Sequence, residues 1–350
     1  MPLDKDLTWK KLDALWENKD IRVLDTKDMK YAIFSDTHFG NGGEADDFYV
    51  NKEALINALS FYDRHDFALI LLGDIEEFWQ FDLEDIFRCY ANTIYSKIQA
   101  FGDARLYRIF GNHDREWGGW IDPIKLQGKK MGFADEAIKL RDTSGEVHLL
   151  LVHGHQGSID ADKYSWFSRF FVRIYSGIEF LMKNIGVFGQ ISATKSQVAK
   201  DYERTLYSWA KSRKVMLLCG HSHRAIFASV SHSERLSQKI ANFEADNSMA
   251  GIYKTTRIKN LAEIENLKGQ LEDEKNKGRV IDPVEPGKSP LPCYFNSGCG
   301  LYTDGMTALE IEGDAIRLVK WSKYSLSGNP REVFKEGMIS EFVEQIRGKA

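Results

Sequence analysis

Short apolar runs recur along the chain from residue 31 onward: Tyr31–Phe34, Phe67–Leu72, Leu106–Phe110, Leu149–Val152 and Val215–Cys219. Each is too short for a helix and is followed at once by Asp, Gly, Asn or His, the pattern of interior strands that deliver loops at their carboxyl ends. The first three intervals are roughly forty residues long, enough for a strand, a helix and a return strand. That spacing predicts that successive loops land at one edge of a largely parallel sheet, where ligands of open α/β sheets gather. Ahead of the first run, Trp9, Leu12, Leu15 and Trp16 fall at helical spacing within residues 7–18, which predicts an amphipathic helix packed on the body of the protein.

The pattern changes twice. Between His153 and His221 lies more chain than one crossover needs, and within it Phe167, Phe170, Phe171, Ile174, Ile178, Leu181 and Ile185 repeat at i, i+3, i+4 and i+7. Trp166, Val172, Tyr175, Phe180 and Met182 make the other faces apolar too. Arg169, Arg173, Glu179 and Lys183 interrupt the segment, so it should not span a bilayer. Two readings stay open: a helix buried between layers, or an aromatic lid over about 160–200 that holds an apolar substrate part or rests on a membrane surface. Residues 231–292 are polar and poor in strand character. There Leu261, Ile264, Leu267 and Leu271 predict one helix, Glu272–Lys277 reads as a solvated charge run, and Pro283, Pro286, Gly287, Pro290 and Pro292 close the segment. Strand character returns at Cys293–Asn296, Met306–Ile311 and Ala315–Trp321, with Gly313–Asp314 as a hairpin turn. Ile339, Phe342, Val343 and Ile346 then mark a terminal helix.

Composition narrows the function classes. The 350 residues carry a net charge of −4, against the basic balance of a chain whose main partner is nucleic acid. Four cysteines, Cys89, Cys219, Cys293 and Cys299, lack CxxC spacing, which points away from a zinc ribbon or a disulfide framework and toward the cytoplasm. The first thirty residues carry Asp4, Lys5, Asp6, Lys10 and Lys11 and no continuous apolar run, unlike a secretory signal.

The candidate chemistry sits where the apolar runs end. In order come DTH (Asp36–His38), GD (Gly73–Asp74), GNHD (Gly111–Asp114), HGH (His153–His155) and GHSH (Gly220–His223). Hydrolysis of a phosphate ester requires charge on the phosphoryl oxygens to be neutralised and water to be made nucleophilic, and a pair of divalent cations does both. Asp36 and His38, two apart at a strand end, can reach one cation together. Asp74, preceded by a glycine, suits a shared carboxylate, and Asn112, His153, His221 and His223 complete a mixed oxygen and imidazole set. His113 can donate a proton to a departing alkoxide, and Asp114 can hold its tautomer. Glu76 and Glu77 read as first-turn residues of a helix, Trp79 as packing, and His155 is open between substrate contact, support of a ligand and loop closure.

The order DxH, GD, GNHD, H, GHxH resembles the calcineurin-like metallophosphoesterase superfamily over residues 30–230 plus the strands from Cys293 to Trp321. The resemblance implies a two-sheet α/β sandwich flanked by helices. It implies that Asp36, His38, Asp74 and His223 bind one metal ion, that Asp74, Asn112, His153 and His221 bind a second, and that His113 assists the leaving group. The two ions would be manganese, with iron or zinc suited to the same donors, and a metal-activated hydroxide would attack phosphorus. Asn296–Gly298 resembles the family's late asparagine–glycine loop. Within the superfamily, GDIEEFW is similar to the GD-x-x-E-x-W stretch of UDP-2,3-diacylglucosamine pyrophosphatases, membrane-associated enzymes, and Asp160, Asp162 and Tyr164 resemble their acidic and tyrosine positions. Those enzymes have GNRD and HGD where this chain has His113 and His155.

The sequence thus predicts a helical extension over 1–29, a phosphoesterase core over 30–230 and 293–325 with a helical lid, a polar insertion over 231–292 and a C-terminal helix over 326–350. Its expected substrate is a phosphate ester or pyrophosphate, lipid-linked or a nucleotide sugar in the narrower reading, with peripheral membrane contact. The alternatives are a nuclease or cyclic-nucleotide-type phosphodiesterase with the same motifs, and a scaffold that kept the fold without catalysis. Oligomeric state is not written in the sequence.

Overall fold

A computed structural model describes residues 4–118, 134–157, 189–248, 254–276, 290–323 and 329–348. The aromatic segment at 166–185, Asp160, Asp162, Tyr164 and the prolines at 283 and 286 lie outside the described residues.

Two seven-stranded mixed sheets face each other. One has the order β14-β13-β12-β2-β3-β4-β5. Its centre is β2 (Lys30–Phe34), β3 (Phe67–Leu72) and β4 (Leu106–Ile109), all parallel, with β5 (Ala134–Asp135) at one edge. The antiparallel hairpin of β12 (Gly305–Glu312) and β13 (Ala315–Ser322), followed by β14 (Arg331–Met338), extends the other side. The second sheet has the order β1-β6-β7-β8-β11-β9-β10. Here β7 (Val147–Val152), β8 (Met216–Cys219) and β11 (Tyr294–Asn296) run parallel. Around them lie β1 (Val23–Asp25), β6 (Ala137–Arg141), β9 (Ile226–Phe227) and β10 (Val230–Ser231).

Side-chain alternation explains the layering. Tyr31, Ile33, Ala68, Ile70, Leu72, Leu309 and Ile311 point into the core shared with the second sheet. Ala32, Phe34, Phe67, Leu69, Leu71, Met306 and Ala308 point outward into a second core. That outer core is covered by α2 (Lys52–Arg64), α3 (Leu83–Tyr90) and α4 (Ser96–Ala100), with the short α5 (Gly102–Arg105) leading into β4. Both faces are apolar, which is why these strands read as continuous hydrophobic runs. The second sheet is covered by α1 (Lys5–Glu17) and α6 (Gly189–Arg213), through Leu12, Leu15, Leu206, Trp209 and Ala210. Asp13 on α1 accepts from Trp209 Nε1 at 2.9 Å and from Arg213 of α6, fastening the two helices.

The spacing argument needs correction. The motif loops do not share one sheet edge: Asp36, Asp74 and Asn112 follow β2, β3 and β4, whereas His153 and His221 follow β7 and β8 of the facing sheet. The chain between Asn112 and His153 changes sheets, returning through the antiparallel pair β6 and β7. Among its described residues the polar segment holds two helices rather than one, α7 (His232–Ser248) and α8 (Lys254–Asn276), and α9 (Ile339–Arg347) is preceded by the unforeseen strand β14. All four cysteines are free thiols. Among the described residues no helix is long and apolar enough to cross a membrane.

Candidate metal centre

Where the parallel strands of both sheets end, the backbone takes an unusual form. Asp36, His38, Asp74, His221 and His223 all adopt positive φ, between 48° and 68°. For residues with a side chain this conformation costs on the order of 1–3 kcal/mol each and persists only where the surroundings impose it. The loops are tied to one another: Asp36 N donates to the Gly73 carbonyl at 3.1 Å, His38 N to that of Asp74 at 3.0 Å, and Gly220 N to that of His153 at 2.9 Å. Glycines permit the approach. A Cβ on Gly111 would collide with Asp74 Oδ1, and one on Gly220 with Asp36 Oδ2.

Two donor groups meet at this junction, Asp36 with His38 and His223, and Asp74 with His153 and His221, and a third, His38 with Glu77 and His113, lies beside them, each set of ligand atoms lying within 4.8 Å of one another. His223 Nε2 lies 3.2 Å from Asp36 Oδ1 and 3.2 Å from His38 Nε2, while His153 Nε2 lies 3.0 Å from Asp74 Oδ2. His38 Nε2 is 3.9 Å from the same Asp74 oxygen, so Asp74 stands between the groups. The far side of two rings is occupied: His153 Nδ1 donates to the Leu72 carbonyl at 3.0 Å and His38 Nδ1 faces Glu77 Oε2 at 2.8 Å. Both Nε2 atoms are thereby left for a ligand, as in metal-binding histidines. Asn112 Oδ1 is buried without a hydrogen bond, and His153 Nε2 faces only Asp74 Oδ2. Buried acceptors of this kind are rare unless something else is bound there, and the donor set fits divalent cations.

In metal-free protein the charges of these groups act strongly on one another. Burial pushes the Asp36 and Asp74 carboxyls up, but His223 beside Asp36, and His153, His113 and His38 around Asp74, hold both below the usual carboxylate range. Burial opposes protonation of His153, yet Asp74 and Asp36 raise it to about 9. Desolvation and the neighbouring His153 push His221 down to about 3.

His113 stands at the rim with a partner the sequence did not suggest. Its Nδ1 faces Glu77 Oε1 at 2.8 Å, so Glu77 spans His113 and His38. His113 and His38 overcome the effect of burial and lower Glu77 to about 2. Asp114 does not touch the ring. Its oxygens accept from the backbone of Ile75 at 2.8 Å and Gly111 at 2.6 Å, clamping the GD loop to the GNHD loop. Burial, Asp74 and Glu76 raise Asp114 to about 7. Trp79 does more than pack: it stacks on His113 with ring centroids 3.9 Å apart and donates from Nε1 to the Asn112 carbonyl at 3.0 Å.

Glu76 and Glu77 begin no helix, since the next one starts at Leu83. Glu76 instead receives Arg108, Tyr95 and Trp117 in a buried network under the loop. The signal for both was present as two carboxylates directly after GDI. His155 is buried behind His153, ring centroids 5.5 Å apart, and Asn296 donates to the Gly220 carbonyl at 2.6 Å.

A family model described as calcineurin-like phosphoesterase matches residues 29–225, more than half of the chain, and the chain belongs to that family. It is a metal-dependent phosphoesterase whose substrate is a phosphate ester. A sequence search among curated proteins finds no match. Among solved structures the chain is similar to a conserved uncharacterized protein, a predicted phosphoesterase, of Streptococcus pneumoniae TIGR4. That likeness has 10% identity and a TM-score of 0.31 over 89% of this chain and 97% of the other, too loose to bear on activity.

Proposed function

We propose that this member of the calcineurin-like phosphoesterase family works at a binuclear centre, with Asp36, His38, Asp74 and His223 holding one divalent cation and Asp74, Asn112, His153 and His221 the other. The observation that supports it is the meeting of two donor groups at Asp74, with Asn112 Oδ1 buried and without a hydrogen bond. Bound there, two cations neutralise charge on the phosphoryl oxygens and make water nucleophilic near neutral pH. Manganese is the proposed ion, and iron and zinc suit the same donors.

The chain's own part is positioning and proton transfer. Asp74 Oδ1 accepts from His113 N at 2.8 Å, fixing the backbone of the GNHD loop against the centre. Glu77 occupies His113 Nδ1 and Trp79 sets the plane of the ring, leaving Nε2 to give a proton to the departing alkoxide. Such an acid matters most where the leaving group is poor, so an ordinary phosphomonoester or phosphodiester is the proposed substrate class. A lipid-linked or nucleotide-sugar pyrophosphate is its narrower form, resting on GDIEEFW and the aromatic segment alone.

The experiment is an assay of chelator-stripped protein on a chromogenic phosphodiester, a phosphomonoester and a lipid-linked pyrophosphate, with and without manganese. Manganese-stimulated turnover on any of them supports the reading, and the preferred substrate selects its form. No stimulated turnover on all three favours the non-catalytic scaffold.

A further inference from the structure

One loop serves both donor groups. His221 lies with Asp74 and His153, and His223 with Asp36 and His38, so the short segment Gly220–Arg224 carries a donor for each proposed cation. Both histidines are in the left-handed region, φ 68° and 58°, a geometry a free loop would leave. Several tethers come from the two sheets: Asn296 Nδ2 to the Gly220 carbonyl, Tyr302 Oη to the His223 carbonyl at 2.7 Å, and His221 N to Asp36 Oδ2 at 2.9 Å.

A different tether comes from the helical layer. Glu203 on α6 is buried and lies 3.2 Å from Nη1 of Arg224, the residue after the two histidines, and Ser222, the residue between them, is among the groups that favour its charged form. The adjacent Tyr202 packs its ring against His221, centroids 5.1 Å apart. A buried carboxylate is costly unless it is paired: burial raises Glu203 to about 7 against the opposing pull of Arg224 and Ser222, both on the loop shared by the two donor groups.

We propose that Glu203 is a positioning residue for ion retention: through Ser222 and Arg224 it holds the loop in the conformation that presents His221 to one cation and His223 to the other. The inference rests on the binuclear reading. It assigns to α6 control over both ions at once, whereas Glu77 touches only the half of the site that contains His38.

The test is manganese titration of metal-free protein against a competing chelator, with apo melting temperature followed in parallel. Wild type is expected to take up two ions. Glu203→Ala should weaken both by roughly 10- to 100-fold, the range for residues that orient metal ligands. Glu203→Gln, which keeps an acceptor for Ser222 and Arg224, should recover most of that affinity. If Glu203→Ala does not fold, Ser222→Ala takes its place, with both ions weakened about tenfold through loss of the hydroxyl that faces Glu203 and accepts from Asn296 Nδ2 at 3.1 Å. Thr205→Ala, on the same helix with its hydroxyl bonded to the Asp201 carbonyl, should bind like wild type. Wild-type affinity in both Glu203→Ala and Ser222→Ala overturns the inference, as does weakening of one ion alone or equal weakening in Thr205→Ala. A wild type that takes up fewer than two ions overturns the binuclear reading itself, a result visible before any variant is made.

Discussion

Asp36, His38, Asp74, His221 and His223 gather carboxylates and imidazoles at positive φ where the strands of two sheets end, whereas the α7–α8 hairpin closes on four buried aliphatic side chains, Leu236, Ile240, Ile264 and Leu267. The first region is strained, polar and tied to both sheets through the backbone bonds of its loops. The second is relaxed and forms a small cluster of its own, with Ile258 and Leu261 exposed. Strain of this kind needs a rigid surround. The two large cores behind and beside the sheets supply it, and the satellite cluster does not reach it.

Substitutions in the two regions should therefore differ in kind. The largest effect is expected from Asp74→Asn, which removes charge from the carboxylate between both donor groups and should abolish manganese-stimulated turnover, read with the chromogenic phosphodiester. Next, His113→Ala should lower kcat on alkyl phosphate esters on the order of 10²- to 10⁴-fold, the contribution of a positioned acid. On nitrophenyl esters, whose leaving group needs little help, the loss should be smaller, and equal losses on both would assign His113 to positioning alone.

Glu77→Gln should cost roughly 10- to 100-fold, as for partners that orient a ligand, and it carries a pH signature. In metal-free protein Glu77 titrates at about 2 rather than 4.5. Its stabilisation is fully present above about pH 4.5 and is lost as pH falls toward 2. Acid unfolding followed by circular dichroism should be less steep over that interval in Glu77→Gln, and an unchanged profile would remove Glu77 from the electrostatic account. The smallest effect on the site is expected from Leu267→Ala. Truncating a buried leucine costs about 2–5 kcal/mol, which hydrogen exchange should report within the hairpin while turnover and ion affinity stay at wild-type values. A fall in ion affinity there would erase the contrast between the regions.

The same contrast governs what could be read from the sequence. Strands β2, β3, β4, β7 and β8 were legible because both of their faces are apolar, and the motif residues because each ends such a run. The partition of those loops between two sheets was not legible from spacing, since a crossover within one sheet and a passage to the other take similar lengths of chain. Glu77 was misplaced because a helix start was expected after GDI, while the chain stays in turns up to Leu83. Asp114 was assigned to His113 by adjacency, although neighbouring side chains in a turn point apart. In the hairpin, Leu236, Ile240 and Phe243 do fall at helical spacing in α7, but polar residues dilute them, and only α8 was recognised. Strand β14 has only intermediate and exposed positions, with no buried apolar face to announce it.

Counting ions tests the central claim most directly. Chelator-stripped protein reloaded with manganese, desalted and measured by elemental analysis should hold two ions per chain, and Asp74→Asn treated alike should hold fewer than one. A wild-type protein that retains one ion or none, or an Asp74→Asn protein that retains both, would contradict a centre built around Asp74.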